Sequence, residues 1–143
     1  MLGVQPYLNF NGNCEEAINF YKEALDGEIL FMQRYGESPM AGMSGDDKVM
    51  HCTLRIGKTH IMASDNPENM PATAGNNISL TIGLNDVDRA RTLFDRLAKG
   101  GNVTMPLDKT FWADAFGILT DRYGINWMIN CDKAENDHAK ATA

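Results

Sequence analysis

The stretch Tyr7–Gly27, YLNFNGNCEEAINFYKEALDG, decides the fold, because it reads as a short apolar strand, a turn and an amphipathic helix that stops at a glycine. A second stretch, Ile78–Gly100, has the same order, and its Ala90 falls on Ala17 when the two are superposed. Further strand-like segments follow each stretch. Repetition of this kind marks a duplicated structural unit. The sequence therefore predicts an α+β fold of two tandem βαβββ modules with curved mixed sheets around a cleft.

The two predicted modules span residues 5–65 and 77–132. Residues 66–76 between them contain two prolines together with glycine and asparagine, which is the composition of a linker. Since each module alone is too small for a good core, we expect residues 1–143 to form a single domain of two pseudo-symmetric halves. The polar segment 133–143 is expected to be a flexible tail.

Capping signals bracket both predicted helices. Asn13 is expected to cap the first helix, and Gly27 to end it in a left-handed conformation. Asn85 or Asp86 takes the capping role in the second helix, which Gly100 ends. The apolar stripes are Cys14, Ala17, Ile18, Tyr21 and Leu25 in the first helix, and Val87, Ala90, Phe94 and Leu97 in the second.

Composition narrows the classes of partner. Hydrophobic residues make up 43% and charged residues 22% of the 143 positions, which is ordinary for a globular chain that needs no metal or disulfide for its core. A net charge of −6 without a run of Lys or Arg argues against nucleic acid and against an anionic membrane. A small-molecule ligand or a protein partner remains.

The cysteines and the N-terminus bear on location. The three cysteines lack the paired spacing of a zinc site, so we expect reduced, buried thiols. The N-terminus has no basic segment followed by an apolar run, and no segment approaches the roughly 20 apolar residues of a membrane span. The sequence is therefore expected to be that of a cytoplasmic protein.

Alternation along the strands predicts which side chains lie away from the helices. The residues expected on the helix side are Met50, Cys52, Leu54 and Ile56, then Ile78, Leu80 and Ile82, and finally Ile125, Trp127 and Ile129. Opposite them we expect His51, Thr53 and Arg55, then Asn77, Ser79 and Thr81, and finally Asn126, Met128 and Asn130. These polar faces either converge on one cavity that a ligand fills or meet solvent.

A set of candidate ligand-binding residues follows from this alternation and from one aromatic loop. His51 is the histidine best placed on such a face, as a general base or ligand donor, or else as a hydrogen-bonded structural residue. Phe111, Trp112 and Phe116 could cover an apolar ligand or form a homodimer interface. The predicted ligand-binding residues are His51, Asn77, Ser79, Trp112, Phe116, Asn126 and Met128.

Charged residues near the strand ends have a structural interpretation. Asp65 and Asp132 end equivalent strands, where acidic residues usually form turns. Arg55 and Arg122 lie next to equivalent hairpin turns, where a salt link at the sheet edge is expected more than anion binding.

Several motifs resemble one known family. They are Pro6-Tyr7-Leu8, Asn19-Phe20-Tyr21, Thr110-Phe111-Trp112-Ala113, Phe116-Gly117, Thr120-Asp121 and Gly124-Ile125-Asn126-Trp127-Met128-Ile129-Asn130. Together they resemble the PhnB-like branch of the glyoxalase/bleomycin-resistance/dioxygenase superfamily, also called vicinal oxygen chelate proteins. The resemblance implies two modules, a cleft half-wrapped by curved sheets, and commonly a homodimer.

The resemblance also permits a test for metal. In the metal-dependent enzymes of the superfamily, four His and Glu ligands line the cleft, and the matching positions here are Pro6, Met62 (or Ile61), Asn77 and Met128. None of these is an acidic residue or a histidine, so we expect neither a metal site nor a cofactor. Branch names mention a demethylubiquinone methyltransferase, but the sequence has no glycine-rich nucleotide fingerprint for a methyl donor.

Two functional hypotheses follow. The first is a metal-independent small-molecule binding protein. The alternative is a superfamily enzyme, such as an isomerase, lyase or transferase, with His51 as acid or base or with a displaced metal site that uses His51 and His60. A purely dimeric scaffold would require side chains to fill the cleft.

Overall fold

The computed structural model describes residues 2–133 and shows an α+β chain in two compact units, one ending at Thr73 and the next starting at Ala74. The first unit contains β1 (Tyr7–Phe10), α1 (Cys14–Leu25), β2 (Glu28–Arg34), a short 3-10 turn (Tyr35–Glu37), β3 (Val49–Ile56) and β4 (Thr59–Asp65). The second contains β5 (Leu80–Leu84), α2 (Val87–Ala98), β6 (Asn102–Asp108), β7 (Ala113–Thr120) and β8 (Asn126–Asp132). The predicted βαβββ order is confirmed in both units.

Each unit holds one four-stranded mixed sheet, in the order β1-β4-β3-β2 and β5-β8-β7-β6. The first strand of each unit pairs parallel to the last, and the remaining pairs are antiparallel. The helix of each unit packs on one side of its sheet. The predicted tail at 133–143 lies outside the described residues except for Lys133. In the part of the chain that the structure covers, no helix has the length and hydrophobicity to cross a membrane.

The predicted stripe of α1 is buried, but the expected cap is wrong. Asn13 makes no side-chain cap, and its backbone at φ −114° and ψ 22° lies outside the extended region of most N-caps. The buried carboxylate of Asp65 replaces it, since Oδ1 accepts from the backbone N–H of Gly12 (2.7 Å) and Cys14 (2.9 Å). Oδ2 accepts from Val49 N–H (3.0 Å). Asp65 therefore ties the start of α1 to β3 rather than forming a turn.

The end of α1 also differs from the prediction. Asp26, and not Gly27, takes the left-handed conformation, with φ 53° and ψ 46°. Gly27 is required for another reason, because a Cβ there would lie 2.8 Å from the backbone oxygen of Arg55. In the second unit, Gly100 is left-handed as expected, with φ +76°.

The second helix is capped by Asp86, one of the two predicted capping residues. The Asp86 side chain accepts a hydrogen bond from the backbone N–H of Arg89 at 3.1 Å, so Asp86 rather than Asn85 is the cap. The buried stripe differs from the predicted one at two positions. Leu93 is buried together with Ala90, Phe94 and Leu97, whereas Val87 is 42% exposed. Val87 is the first helical residue, which explains why it projects beyond the sheet.

The first strand of the second unit starts later than predicted. The β5 strand begins at Leu80, and Ile78 is 74% exposed instead of facing α2. The Asn126 side-chain N–H groups donate to the backbone oxygens of Gly75 (2.8 Å) and Ile78 (3.1 Å), so side-chain bonds replace strand pairing there. The last strand agrees with the prediction, because Trp127 and Ile129 are buried and the residues between them are half-buried.

The predicted linker is hydrogen-bonded to the first unit through Asn66 and Ala72. The Asn11 side chain donates to the backbone oxygen of Ala72 (2.9 Å) and accepts from the N–H of the same residue (2.8 Å). The N–H of Asn66 donates to the oxygen of Phe10 (2.7 Å). These bonds explain why the division between the units falls after Thr73.

Of the remaining charged strand-end residues, Arg55 behaves as expected, whereas the roles of Arg122 and Asp132 stay predictions. Arg55 forms an ion pair with Glu28 across β2 and β3 at 3.5 Å, which confirms a salt link at the sheet edge. Arg122 donates through Nε to the backbone oxygen of Lys99 at 3.0 Å. Asp132 ends β8 and accepts from the Asn130 side chain at 2.9 Å.

Candidate functional site

The side of the first sheet that faces away from α1 carries the clearest candidate site. Cys52 of β3 points towards α1, since its sulfur lies 3.8 Å from that of Cys14. Alternation therefore places its neighbours His51 and Thr53 on the other side. We call that side the first distal face. Its members are Tyr7, Phe31, Gln33, His51, Thr53 and Met62.

Strand register arranges the distal residues in rows. Tyr7 is paired with Met62, Met62 with Thr53, and Thr53 with Phe31, so one row crosses the whole sheet. Gln33 is the cross-strand partner of His51 in the next row. A bulge between Ile29 and Phe31 sets the side to which Phe31 points.

His51 is the centre of this face. Its Nδ1 lies 3.1 Å from the hydroxyl oxygen of Tyr7. Its imidazole ring centroid is 5.7 Å from that of Tyr7 and 6.0 Å from that of Phe31. Within residues 2–133, His51 Nε2 has no hydrogen-bond partner. Every buried side-chain nitrogen or oxygen in that range has a partner, so Nε2 must be exposed to solvent. The strand position predicted for His51 is thus confirmed, whereas its role stays a prediction.

The positions that match the superfamily metal ligands do not fit a metal here. Met62 lies on the first distal face, whereas Ile61 is buried on the helix side, so Met62 is the relevant member of the pair. Pro6 and Asn77 lie outside the strands. Thioether sulfur is a poor ligand for hard divalent cations. In the described part of the chain, no three His, Cys, Asp or Glu side chains gather to hold an ion.

The alternative metal site of two histidines does not form either. His60 pairs with Arg55, which lies four positions along β3 from His51. At a rise of about 3.3 Å per residue, the two histidines are roughly 13 Å apart along the strands. A zinc ion binds imidazole nitrogens at about 2.1 Å and takes three or four ligands, and among the described residues no third His, Cys, Asp or Glu gathers with these two.

The side of the second sheet that faces away from α2, which we call the second distal face, is more apolar than the first distal face. Met128 is paired with Thr81 on one side and with Ile118 on the other. Asn126 is engaged structurally, because it accepts from Thr120 Oγ1 (2.9 Å) in addition to its two bonds to backbone oxygens. Ser79 is half-buried and Asn77 is exposed, both before the start of β5.

Phe111 and Trp112 lie in the β6–β7 connection, whereas Phe116 lies in β7 and not in the predicted loop, and the three rings form one cluster. Trp112 lies between Phe111 and Phe116, with ring centroids 4.9 Å and 5.3 Å away in edge-to-face geometry. Phe111 is 85% exposed and Trp112 is 40% exposed. The cluster expected from the sequence is confirmed, whereas the convergence of both distal faces on one cavity stays a prediction.

Two residues of the site were missed by sequence reasoning. Tyr7 was noted only as part of a motif, although its alternation with the buried residues Leu8 and Phe10 could have placed it beside His51. Phe31 could not have been found in this way. Its side depends on the bulge in β2, which leaves no clear pattern in the sequence.

Comparison with known proteins fits this architecture. Residues 3–130 match the family described as 3-demethylubiquinone-9 3-methyltransferase. The chain is 42% identical to protein PA1353 from Pseudomonas aeruginosa, with a TM-score of 0.86 over 92% of this chain and 98% of that one. It is 33% identical to protein YjdN from Escherichia coli K12, over 92% of this chain and 97% of the relative.

The PhnB protein from Bacillus cereus is 29% identical, with a TM-score of 0.80 over 91% of this chain and 99% of that one. A glyoxylase/bleomycin resistance protein/dioxygenase domain from Frankia, at 16% identity and a TM-score of 0.67, shares the fold. This chain therefore belongs to the PhnB-like 3-demethylubiquinone-9 3-methyltransferase family, within the glyoxalase/bleomycin resistance/dioxygenase fold.

Proposed function

We propose that this protein is a metal-independent small-molecule binding protein whose site is centred on His51. The observation that carries the proposal is the half-buried imidazole, hydrogen-bonded through Nδ1 to Tyr7 and flanked by the rings of Tyr7 and Phe31. One open ring nitrogen between apolar walls matches the usual composition of a ligand site, in which a few polar groups orient a ligand held by apolar contact.

The surroundings of His51 favour a compact organic ligand. Its cross-strand partner Gln33 is neutral, as are Thr53 and Met62 in the adjacent row. The two charges of the same face nearest the hairpin, Arg55 and Glu28, pair with each other. Hydrogen bonding and aromatic contact are therefore the means of recognition that this face offers.

The remaining predicted ligand-binding residues belong to the second unit. Trp112, Phe116 and Met128 offer apolar surface, and Ser79 and Asn77 offer polar groups. Asn126 is the weakest member of the predicted set, because Thr120 and two backbone oxygens already occupy its amide. We propose that Trp112, Phe116, Met128, Ser79 and Asn77 are the ligand-binding residues of the second unit.

A catalytic role for His51 is the second candidate. The hydrogen bond from Tyr7 favours it, because an oriented imidazole is the commonest general acid or base. Such an enzyme would be an isomerase, lyase or transferase that uses the acid–base chemistry of His51 without a metal.

Substitution of His51 tests the proposal. A fragment library is screened by NMR against metal-stripped, nitrogen-15-labelled protein, and the hits are titrated into His51→Ala and into His60→Ala as the matched control. We expect hits that shift resonances around His51 and bind about tenfold more weakly to His51→Ala, the loss of roughly one hydrogen bond to the ligand. His60→Ala should bind like wild type.

Thermal unfolding of the same variants separates binding from structure. His51→Ala should melt within a few degrees of wild type, since a half-exposed side chain contributes little to the core. A large loss of thermal stability would make His51 a structural residue. A screen without any hit near His51 would contradict the proposed function.

A further inference from the structure

The hydrogen bond between Tyr7 and His51 bears on where the imidazole proton lies. A neutral imidazole carries one N–H and one acceptor nitrogen, and the bond made by one nitrogen sets the state of the other. The phenolic O–H is a good donor, and the bare ring nitrogen of imidazole is a better acceptor than a phenolic oxygen. At 3.1 Å, the Tyr7 hydroxyl is therefore expected to donate to Nδ1.

We propose that Tyr7 is a positioning residue that holds neutral His51 in the Nε2-protonated form, so that His51 binds its ligand as an N–H donor. The inference rests on the proposed function, and it deepens it by assigning the ligand an acceptor oxygen. Nε2 is the nitrogen that no described residue occupies and that solvent reaches. In this state Nε2 already carries its proton, so this inference favours the binding function over the second candidate, in which Nε2 would act as a general base.

The aromatic neighbours narrow the ligand class further. Tyr7 is 43% exposed and Phe31 is 49% exposed, so both rings present surface beside the imidazole. Flat aromatic surfaces favour planar partners through offset or edge-to-face contact. The ligand class is therefore a planar, conjugated molecule that carries a carboxylate or carbonyl oxygen. An ionised oxygen would give the stronger, charge-assisted bond.

Nitrogen-15 NMR of the histidine side chains tests the positioning role directly. In wild type at a pH where His51 is neutral, we expect Nε2 to show a pyrrole-type shift and Nδ1 a pyridine-type shift. In Tyr7→Phe, which keeps the ring and removes only the hydroxyl, the difference between the two shifts should narrow. His60 serves as the internal control and should not respond. A wild-type Nδ1 of pyrrole type, or shifts unaffected by Tyr7→Phe, would overturn the positioning role.

Benzoate tests the ligand class, with cyclohexanecarboxylate and benzylamine as controls for planarity and for the acceptor oxygen. Benzoate should shift the His51 ring resonances, and both controls should bind more weakly. Tyr7→Phe should weaken benzoate binding about threefold to tenfold, and His51→Ala about tenfold. His51→Gln should restore most of the affinity, because the glutamine amide places an N–H near the position of Nε2 but cannot act as a base.

The outcomes separate this inference from the proposed function. If other fragments bind near His51 but benzoate does not, the ligand class is wrong and the binding function stands. If His51→Gln binds no better than His51→Ala, the donor role is wrong. If no fragment binds anywhere on the first distal face, the proposed function itself fails, whatever the NMR shifts show.

Discussion

The pair Cys14 and Cys52 shows how single buried residues set the chemistry of the first unit. Their sulfur atoms are 3.8 Å apart, and neither residue is exposed. The hydrogen-bonded Cys52 sulfur, followed by burial, raises the pKa of the Cys14 thiol above its ordinary value. Burial likewise raises the pKa of Cys131. All three cysteines are free thiols in the core of their units.

These shifts predict a loss of stability in alkaline solution. In the unfolded chain a thiol loses its proton near its usual pKa of 9.0, whereas in the folded chain Cys14 keeps it. The folded state then binds more protons, so the free energy of unfolding falls as pH rises above about 9, by up to about 1.4 kcal/mol per pH unit for each such thiol. Urea unfolding at pH 7, 8, 9 and 10 measures it.

The double variant Cys14→Ala/Cys52→Ala is the matched variant for this prediction, because the hydrogen bond from Cys14 lowers the pKa of Cys52 and removal of Cys14 alone would alter both thiols. Its free energy of unfolding should depend less steeply on pH than that of wild type, because one of the protected thiols is gone. Equal slopes in the two proteins above pH 9 would show that this pair does not carry the effect.

What the sequence predicts at single positions depends on how local the cause is. His51 could be placed because alternation within one strand needs only its neighbours. The cap at Asp65 could not, since Asn13 has the right chemistry at the right place, and the competing carboxylate comes from a strand that ends far along the chain. The left-handed residue is Asp26, and Gly27 is needed instead because a Cβ there would lie against the backbone of β3, a contact between distant segments that local sequence does not reveal.

At the scale of elements, Asp65 joins three parts of the first unit. Its carboxylate receives hydrogen bonds from the turn before α1, from the first residue of α1 and from the start of β3. Its own backbone oxygen accepts from the hydroxyl of Tyr35 at 2.7 Å. The helix, two strands and the turn after β2 therefore meet at one residue.

Replacing this carboxylate should be costly. In Asp65→Ala three backbone N–H groups lose their acceptor, and we expect the free energy of unfolding to fall by about 3–5 kcal/mol. Asp65→Asn keeps one acceptor oxygen but places the side-chain NH2 group opposite a backbone N–H donor. We therefore expect the free energy of unfolding to fall by about 2 kcal/mol. Urea unfolding measures both changes.

Asp132→Asn is the control, because Asp132 ends β8 and bonds only a neighbouring side chain among the contacts described. It should cost less than about 1 kcal/mol. Similar losses for Asp65→Asn and Asp132→Asn would contradict the role given to Asp65.

At the scale of the whole molecule, the exposed aromatic cluster indicates self-association. Phe111, at 85% exposure, and Trp112 form apolar surface of the kind that protein interfaces use. We predict a homodimer, with about twice the chain mass of 15.8 kDa by light scattering at micromolar concentration. Phe111→Ser should shift the equilibrium towards monomer. A monomeric mass for wild type would contradict the prediction.

The duplicated architecture could be predicted because each copy repeats the same local signals of strand, cap and helix. The later start of β5 could not, since Ile78 continues an apolar alternation that the Asn126 side chain interrupts from another strand. The same limit applies to the site. Alternation places Met128 away from the helix, but the choice between Met62 and Ile61 needed the register of β4, which puts Met62 on the first distal face.

Metal independence separates the proposed function most sharply from the metal-dependent enzymes of the same fold, and elemental analysis tests it directly. The protein is purified without a histidine tag and without chelator, and zinc, nickel, iron and manganese are measured against protein concentration. We predict far less than one ion of any of them per chain. One tightly bound ion per chain would contradict the metal-free site and return attention to His51 and His60 as separate ligands.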